Sequence, residues 1–300
     1  ELKAQKAKAY KRLKQIDKRK FDQAEKDYLG KVINLFKINS SENVIEGTPT
    51  ELIQLIKTIG KVPPNSRLYS NGKPKMKLSK FISNALNFTY LRKTFYPKYF
   101  FEIGIKSCVY CNSQLAIVAR KLNNEYSAKF DVDHYYSKDD YPFLSISLYN
   151  LYPVCSSCNR AKGKKDNIEF ELYSADSIKV KKSDYKFKLS AHSKAKFLIT
   201  KNSNDIKFTF EEPPYPNPKT KKLNDVFHIE KIYETQTDLL EELIIKRQIY
   251  NYSYIRSLKK NFEKLKLNPE LFKRILVGNY SDDKHIHKRP MSKIVMDIAK

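Results

Sequence analysis

Within thirty-six residues, Phe130 to Lys165, the chain sets Asp131, Asp133 and His134 ahead of Asn150, Asn159 and the pair Cys155-x-x-Cys158. An earlier pair, Cys108-x-x-Cys111, completes a total of four cysteines with none to spare. Four thiolates are soft, negatively charged ligands that close a tetrahedral Zn²⁺ and leave no open position for a substrate, so this set is structural by its chemistry. The aspartates and asparagines are hard oxygen donors and suit Mg²⁺ or Mn²⁺ instead. An imidazole beside them, with an ordinary pKa near neutrality, can take a proton from water. A hard cation to neutralise charge and a base to make hydroxide are what phosphodiester hydrolysis requires.

The segment between Cys111 and Cys155 holds 43 residues, far more than the roughly fifteen to twenty of a simple zinc ribbon, so something is housed in the gap. A redox role for Cys-x-x-Cys would need only one pair and a βαβ context that the pattern lacks. Paired thiols without disulfide partners also favour a reducing, cytoplasmic setting.

The elements that must position these groups follow from periodicity. "KFDVDHYY" is β-prone, and period-two alternation puts Asp131 and Asp133 on one strand face, so a turn at Asp133-His134 is expected to bring the imidazole to the same place. Residues 1–100 read as a basic helical region. Phe21, Ala24, Tyr28, Val32, Leu35 and Phe36 share one helical face, and Thr48, Pro49, Glu51 and Gly60 cap a second helix. A third helical pattern runs through "KLSKFISNALNFTYLRKTF" until Pro97 stops it. Residues 101–175 form a compact α+β module carrying both cysteine pairs. Residues 176–300 are mainly helical, with an "IKFTF" strand, a proline-rich excursion at "EEPPYPNPKTKK", one long helix from Phe227 to Leu265 whose inner stripe is Ile229, Ile232, Tyr233, Leu240, Leu243 and Ile244, and a last helix opened by Asn268-Pro269 and closed by Gly278. The fold class is therefore α+β.

Composition narrows the partner. Fifty-eight Lys and Arg against thirty-three Asp and Glu give a formal net charge of +25 over 300 residues, which suits a polyanion such as nucleic acid. Residues 1–40 alone carry twelve basic and five acidic residues. No window approaches the ~18 apolar residues of a membrane-spanning helix, and no membrane partner is expected. His285 and His287 with Asp282 and Asp283 make a weak second metal candidate.

Asp133-His134, Asn150 and Asn159, interleaved with "CVYC" and "CSSC", resemble the HNH or ββα-metal nucleases in their zinc-stapled branch. "DVDH" followed by "NRAK" is also similar to the HNH module of RNA-guided CRISPR nucleases. The resemblance covers roughly Ser107 to Lys165. It implies that Asp133 and Asn159, with Asp131 as a further ligand, hold the catalytic Mg²⁺ or Mn²⁺; that His134 is the general base; and that Asn150 orients His134 and stiffens the hairpin. It also implies a structural Zn²⁺ on the four cysteines and phosphate contacts from Arg160, Lys162 and Lys164. The activity implied is one-metal cleavage of nucleic acid, above all double-stranded DNA, leaving a 5′-phosphate. The family often has Pro shortly after the Asp-His pair. Ser137 stands there, with Pro142 later, so a longer loop is expected. In size and layout the chain further resembles the HNH effector of two-part anti-phage systems of the Septu and retron type, which pair it with an ATPase. The rival reading from another class is a non-catalytic, zinc-stabilised nucleic-acid-binding or scaffold protein.

Overall fold

A computed structural model of the chain describes residues 2–64, 69–70, 73–74, 76–163, 185–214, 221–263, 266 and 268–299. The architecture is mixed α+β. Helices α1 (Leu2–Lys14), α2 (Gln23–Leu35) and α3 (Pro49–Ile59) come first, followed by a minimal antiparallel pair, β1 (Tyr69–Ser70) and β2 (Lys73–Pro74). Next are α4 (Leu78–Leu86), α5 (Phe88–Thr94) and α6 (Tyr96–Ile103). Asp22 with Glu25, and Thr48 with Glu51, form reciprocal capping boxes that fix where α2 and α3 begin. Because Glu25 reaches back to cap its own helix it is buried, while Ala24, expected inside, is exposed. Pro97 opens α6 rather than ending a helix, since a proline in the first turn has no hydrogen bond to lose.

Two antiparallel hairpins follow. In the first, β3 (Val118–Arg120) pairs with β4 (Tyr126–Ala128); in the second, β5 (Asp131–His134) pairs with β6 (Leu151–Val154), Asp133 lying opposite Tyr152 and His134 opposite Leu151. The short helix α7 (Ser156–Lys162) continues directly from β6. Beyond it lie β7 (Lys186–Leu189), α8 (Ala191–Thr200), β8 (Phe208–Glu211), α9 (Leu223–Phe227), α10 (Ile229–Glu234), α11 (Thr237–Ile249), α12 (Tyr252–Glu263), α13 (Pro269–Val277) and α14 (Ser292–Ile298). The long helix expected from Phe227 is thus three shorter ones. His228 takes a left-handed φ of 53° before α10, and the chain breaks again at Gln236 and at Tyr250. Of its inner stripe, Ile229, Tyr233, Leu240, Leu243 and Ile244 are buried and Ile232 is half-buried. Asn268 caps α13 and Gly278 ends it with φ 85°, a conformation natural to glycine.

The β5–β6 hairpin lies where two apolar cores meet. Val132, Phe143, Leu144, Ile146, Leu148 and Leu151 join the core of α1–α6. Tyr152 and Val154 join the four cysteines and the residues of β7, β8, α9–α11 and α14 in the other. The loop from Tyr135 to Asn150 is tied to the first core by backbone bonds from Val62 N–H to the Asp140 carbonyl (2.8 Å) and from Leu148 N–H to the Ile45 carbonyl (2.8 Å).

Candidate functional site

All four cysteines are buried and their sulfur atoms lie within 4.8 Å of one another, a cluster that could hold a zinc ion. With Zn–S bonds of about 2.3 Å a tetrahedral site separates sulfurs by about 3.8 Å, which this spacing accommodates. Cys155 and Cys158 flank the first turn of α7, so a metal there would pin the helix start, and Ser113 donates a hydrogen bond to Cys111 Sγ (3.1 Å). The four thiols are close enough to share protons, so the cluster holds its charge jointly, and Ser113 adds a hydrogen bond to Cys111 that favours a thiolate there.

α7 packs against β5, and three-residue spacing puts Asn159 and Lys162 on the same side of the helix. Asn159 Nδ2 donates to Asp131 Oδ2 at 3.1 Å. The other Asp131 oxygen accepts from the Arg92 guanidinium of α5 at 2.9 Å. One step along the same strand face, Asp133 Oδ2 accepts from the Tyr110 hydroxyl (2.7 Å) and pairs with Lys162 Nζ (2.9 Å), which also donates to the His134 carbonyl (2.7 Å). Burial pushes the Asp133 carboxyl up, opposed by the Lys162 charge and the Tyr110 hydrogen bond. Lys162 was expected to face a phosphate from a polar helix end. It is instead 2% exposed, because its four-carbon stem reaches back under α7 to a carboxylate that could not otherwise stay ionised inside.

The turn expected at Asp133-His134 does not occur there: β5 continues through His134, so alternation sends the imidazole to the opposite face. Its ring lies 4.5 Å from that of Phe88 on α5, and its Nε2 faces the Ser145 carbonyl at 2.9 Å. A carbonyl can only accept, so Nε2 carries the proton and Nδ1 the lone pair. Burial is the main cause that lowers the His134 pKa to about 3, with the charges of Lys138, Lys162 and Arg92 acting the same way against the Ser145 bond. The ring is therefore neutral.

Asn150 is completely buried; its Oδ1 accepts from Tyr136 N–H (2.7 Å) and its Nδ2 donates to the carbonyls of Tyr136 (3.1 Å) and Leu144 (3.0 Å). It stiffens the loop that carries Ser145 and makes no hydrogen bond to His134 itself. Arg160 is exposed with no ion pair among the described residues, and Lys164 lies outside them. Tyr110, Arg92, Phe88 and Lys138 were not singled out from sequence. Tyr110 sits inside "CVYC", a place that could have drawn notice, whereas the others carry no local signal.

The oxygen donors of Asp131, Asp133 and Asn159 suit a hard divalent ion by type, yet each carboxylate is already matched by a cationic side chain. Among the described residues the cysteines form the one group of three or more His, Cys, Asp or Glu side chains placed to share an ion. The second metal candidate is therefore not gathered: His285 packs on the Tyr280 ring at 5.4 Å, and His287 is half-buried with its Nδ1 out of solvent and unpartnered. No helix among the described residues is long and apolar enough to cross a membrane.

Comparison with known proteins adds one relationship to this geometry. The chain is similar to Septu protein PtuB of Bacillus thuringiensis. The two are 36% identical over 66 residues, a stretch equal to 22% of this chain and 23% of that protein's own length. No protein-family profile matches the chain, and no solved structure does.

Proposed function

We propose that the chain is a metal-dependent endonuclease of the HNH kind that hydrolyses nucleic acid, foremost double-stranded DNA, within a Septu-type anti-phage system. The observation that carries this reading is the contact of Asn159 with Asp131 across a hairpin-helix unit (β5, β6, α7) whose strand ends in a neutral imidazole. Similarity to a Septu protein supports the defence role, and the two-part systems resembled imply an ATPase partner. Asp133, Asp131 and Asn159 would hold a Mg²⁺ or Mn²⁺ ion, which when bound neutralises charge on the scissile phosphate. With Nε2 held by Ser145, Nδ1 is the His134 nitrogen that would take the proton of the attacking water, from the face of β5 opposite Asp131 and Asp133. Asn150 holds the loop that presents the Ser145 carbonyl, and so fixes the tautomer. Arg92, half-exposed beside the strand, would place positive charge where a phosphate oxygen arrives.

The decisive assay is nicking of supercoiled plasmid with Mg²⁺ or Mn²⁺, by wild type and by His134→Ala. Removal of a general base is expected to cost about 100-fold or more in rate. Equal cleavage by both proteins, or none by either across divalent ions and candidate partners, sinks the enzyme reading. A non-catalytic zinc module is the second reading, and the pairing of both carboxylates with Arg92 and Lys162 favours it. Metal analysis bears on both: about one zinc per chain is expected to survive His134→Ala and to be lost in Cys155→Ser.

A further inference from the structure

Three cationic side chains from three separate elements bear on one region: Arg92 and Lys138 act on His134, and Lys80 acts on Lys138. Arg92 stands one helical turn beyond Phe88 on α5, Lys138 follows β5 in the loop, and Lys80 lies on α4, which packs against α5. The Phe88 ring lies between two of the groups: His134 is 4.5 Å from it and Lys138 Nζ sits 5.3 Å above its centre. Arg92 is paired with Asp131, but the ammonium groups of Lys80 and Lys138 have no ion-pair partner among the described residues. The positive charge is also crowded. Desolvation and then the charge of Lys80 lower the Lys138 pKa, with Arg92 acting the same way and Asp139 and Asp133 against it. Like charges held close together repel, and an arriving anion relieves that repulsion.

We propose that Lys80, Arg92 and Lys138 form a phosphate-binding cradle over the Phe88 ring beside His134, which takes a backbone phosphodiester of nucleic acid. The proposal rests on the nucleic-acid reading above and gives it an anchor that lies in the N-terminal helices rather than on α7. Phosphate fits better than a carboxylate because its oxygens, spread over a tetrahedron, can meet a planar guanidinium fork and two mobile ammonium groups at once. Phosphate contacts of this sort position a strand without reading its sequence, so the cradle would orient substrate toward the imidazole and leave base choice to other surfaces.

The test measures binding and needs no cleavage, so its failure is separable from that of the nuclease reading. Affinity of the full chain for a duplex oligonucleotide is followed by anisotropy without added divalent ions, over a range of salt, for wild type, for Lys80→Gln/Lys138→Gln and for the distant control Lys188→Gln/Lys231→Gln. All four lysines are exposed, so the variants fold. The cradle variant is expected to lose about 10-fold in affinity and to shed about two from the salt slope, while the control keeps both. A cradle variant that binds as wild type does, or a control that loses as much, overturns the proposal. A second arm uses inorganic phosphate in a thermal-shift experiment. A phosphate-dependent stabilisation of wild type that the cradle variant lacks, together with no oligonucleotide binding, keeps the anion site and overturns the nucleic-acid substrate. Absence of both overturns the cradle.

Discussion

The two faces of β5 are held by different physics. Toward α7, Asp131 and Asp133 meet Asn159, Lys162, Tyr110 and Arg92 in a ladder of charged hydrogen bonds. Toward the N-terminal helices, Val132 packs in the apolar core and His134 packs against Phe88 and a single backbone carbonyl. The charged face depends on a helix of seven residues, too short to persist by itself, whose first turn carries two of the four cysteines. The apolar face depends on six helices that reach it from residues 2–103. Groups that sequence places side by side therefore answer to separate sources of rigidity.

The largest expected effect comes from breaking the sulfur anchor. Cys155→Ser, or chelation of zinc, removes binding energy on the order of 10 kcal/mol. Hydrogen exchange is expected to quicken at residues 156–162 and 108–112 while α2 and α4 keep their protection. Uniform loss across the chain would show that the two faces cannot be uncoupled. Next in size, Lys162→Met leaves Asp133 buried without its counter-charge and is expected to cost about 3–5 kcal/mol in urea unfolding. Adding Asp133→Asn should recover part of that, and a double variant no better than the single would argue against the pair. The smallest effect appears only in acid. Burial lowers the His287 pKa to about 4, below its unfolded value near 6.5, so the unfolded chain binds the proton first. The stability this group contributes is fully present above pH 6.5 and drains away as pH falls toward 4, by about 3 kcal/mol at most. His287→Leu should flatten the pH dependence of the urea midpoint over that window, and an unchanged profile would assign the acid sensitivity elsewhere.

Much of the site was legible because it is local. The cysteine pairs, the alternation of "DVDH" and the Asn159 spacing are set by neighbours in the chain, and the caps at Thr48 and Asn268 announce their helices in the same way. Lys162 was misplaced because a lysine near a polar helix end is solvated by default, and only tertiary contact shows that its charge has a buried partner. Arg92 reaches Asp131 across 39 residues, a distance no pattern spans. The breaks at His228, Gln236 and Tyr250 were hidden by an apolar stripe that keeps its phase through them. His134 turned the other way because strand geometry outlasted the bend that a converging site would have required.

Asn112, one residue past the first cysteine pair, takes φ 52° and fastens residues far along the chain. Its side chain donates to the Ile286 carbonyl (2.6 Å) and accepts from Lys293 N–H (2.9 Å), while its own carbonyl accepts from Met291 N–H (2.7 Å). On a ribosome, all four sulfurs emerge well before this clasp can close. The turn behind the first cysteine pair is thus made first and fastened last, so its final geometry depends on residues 286–293 being in place.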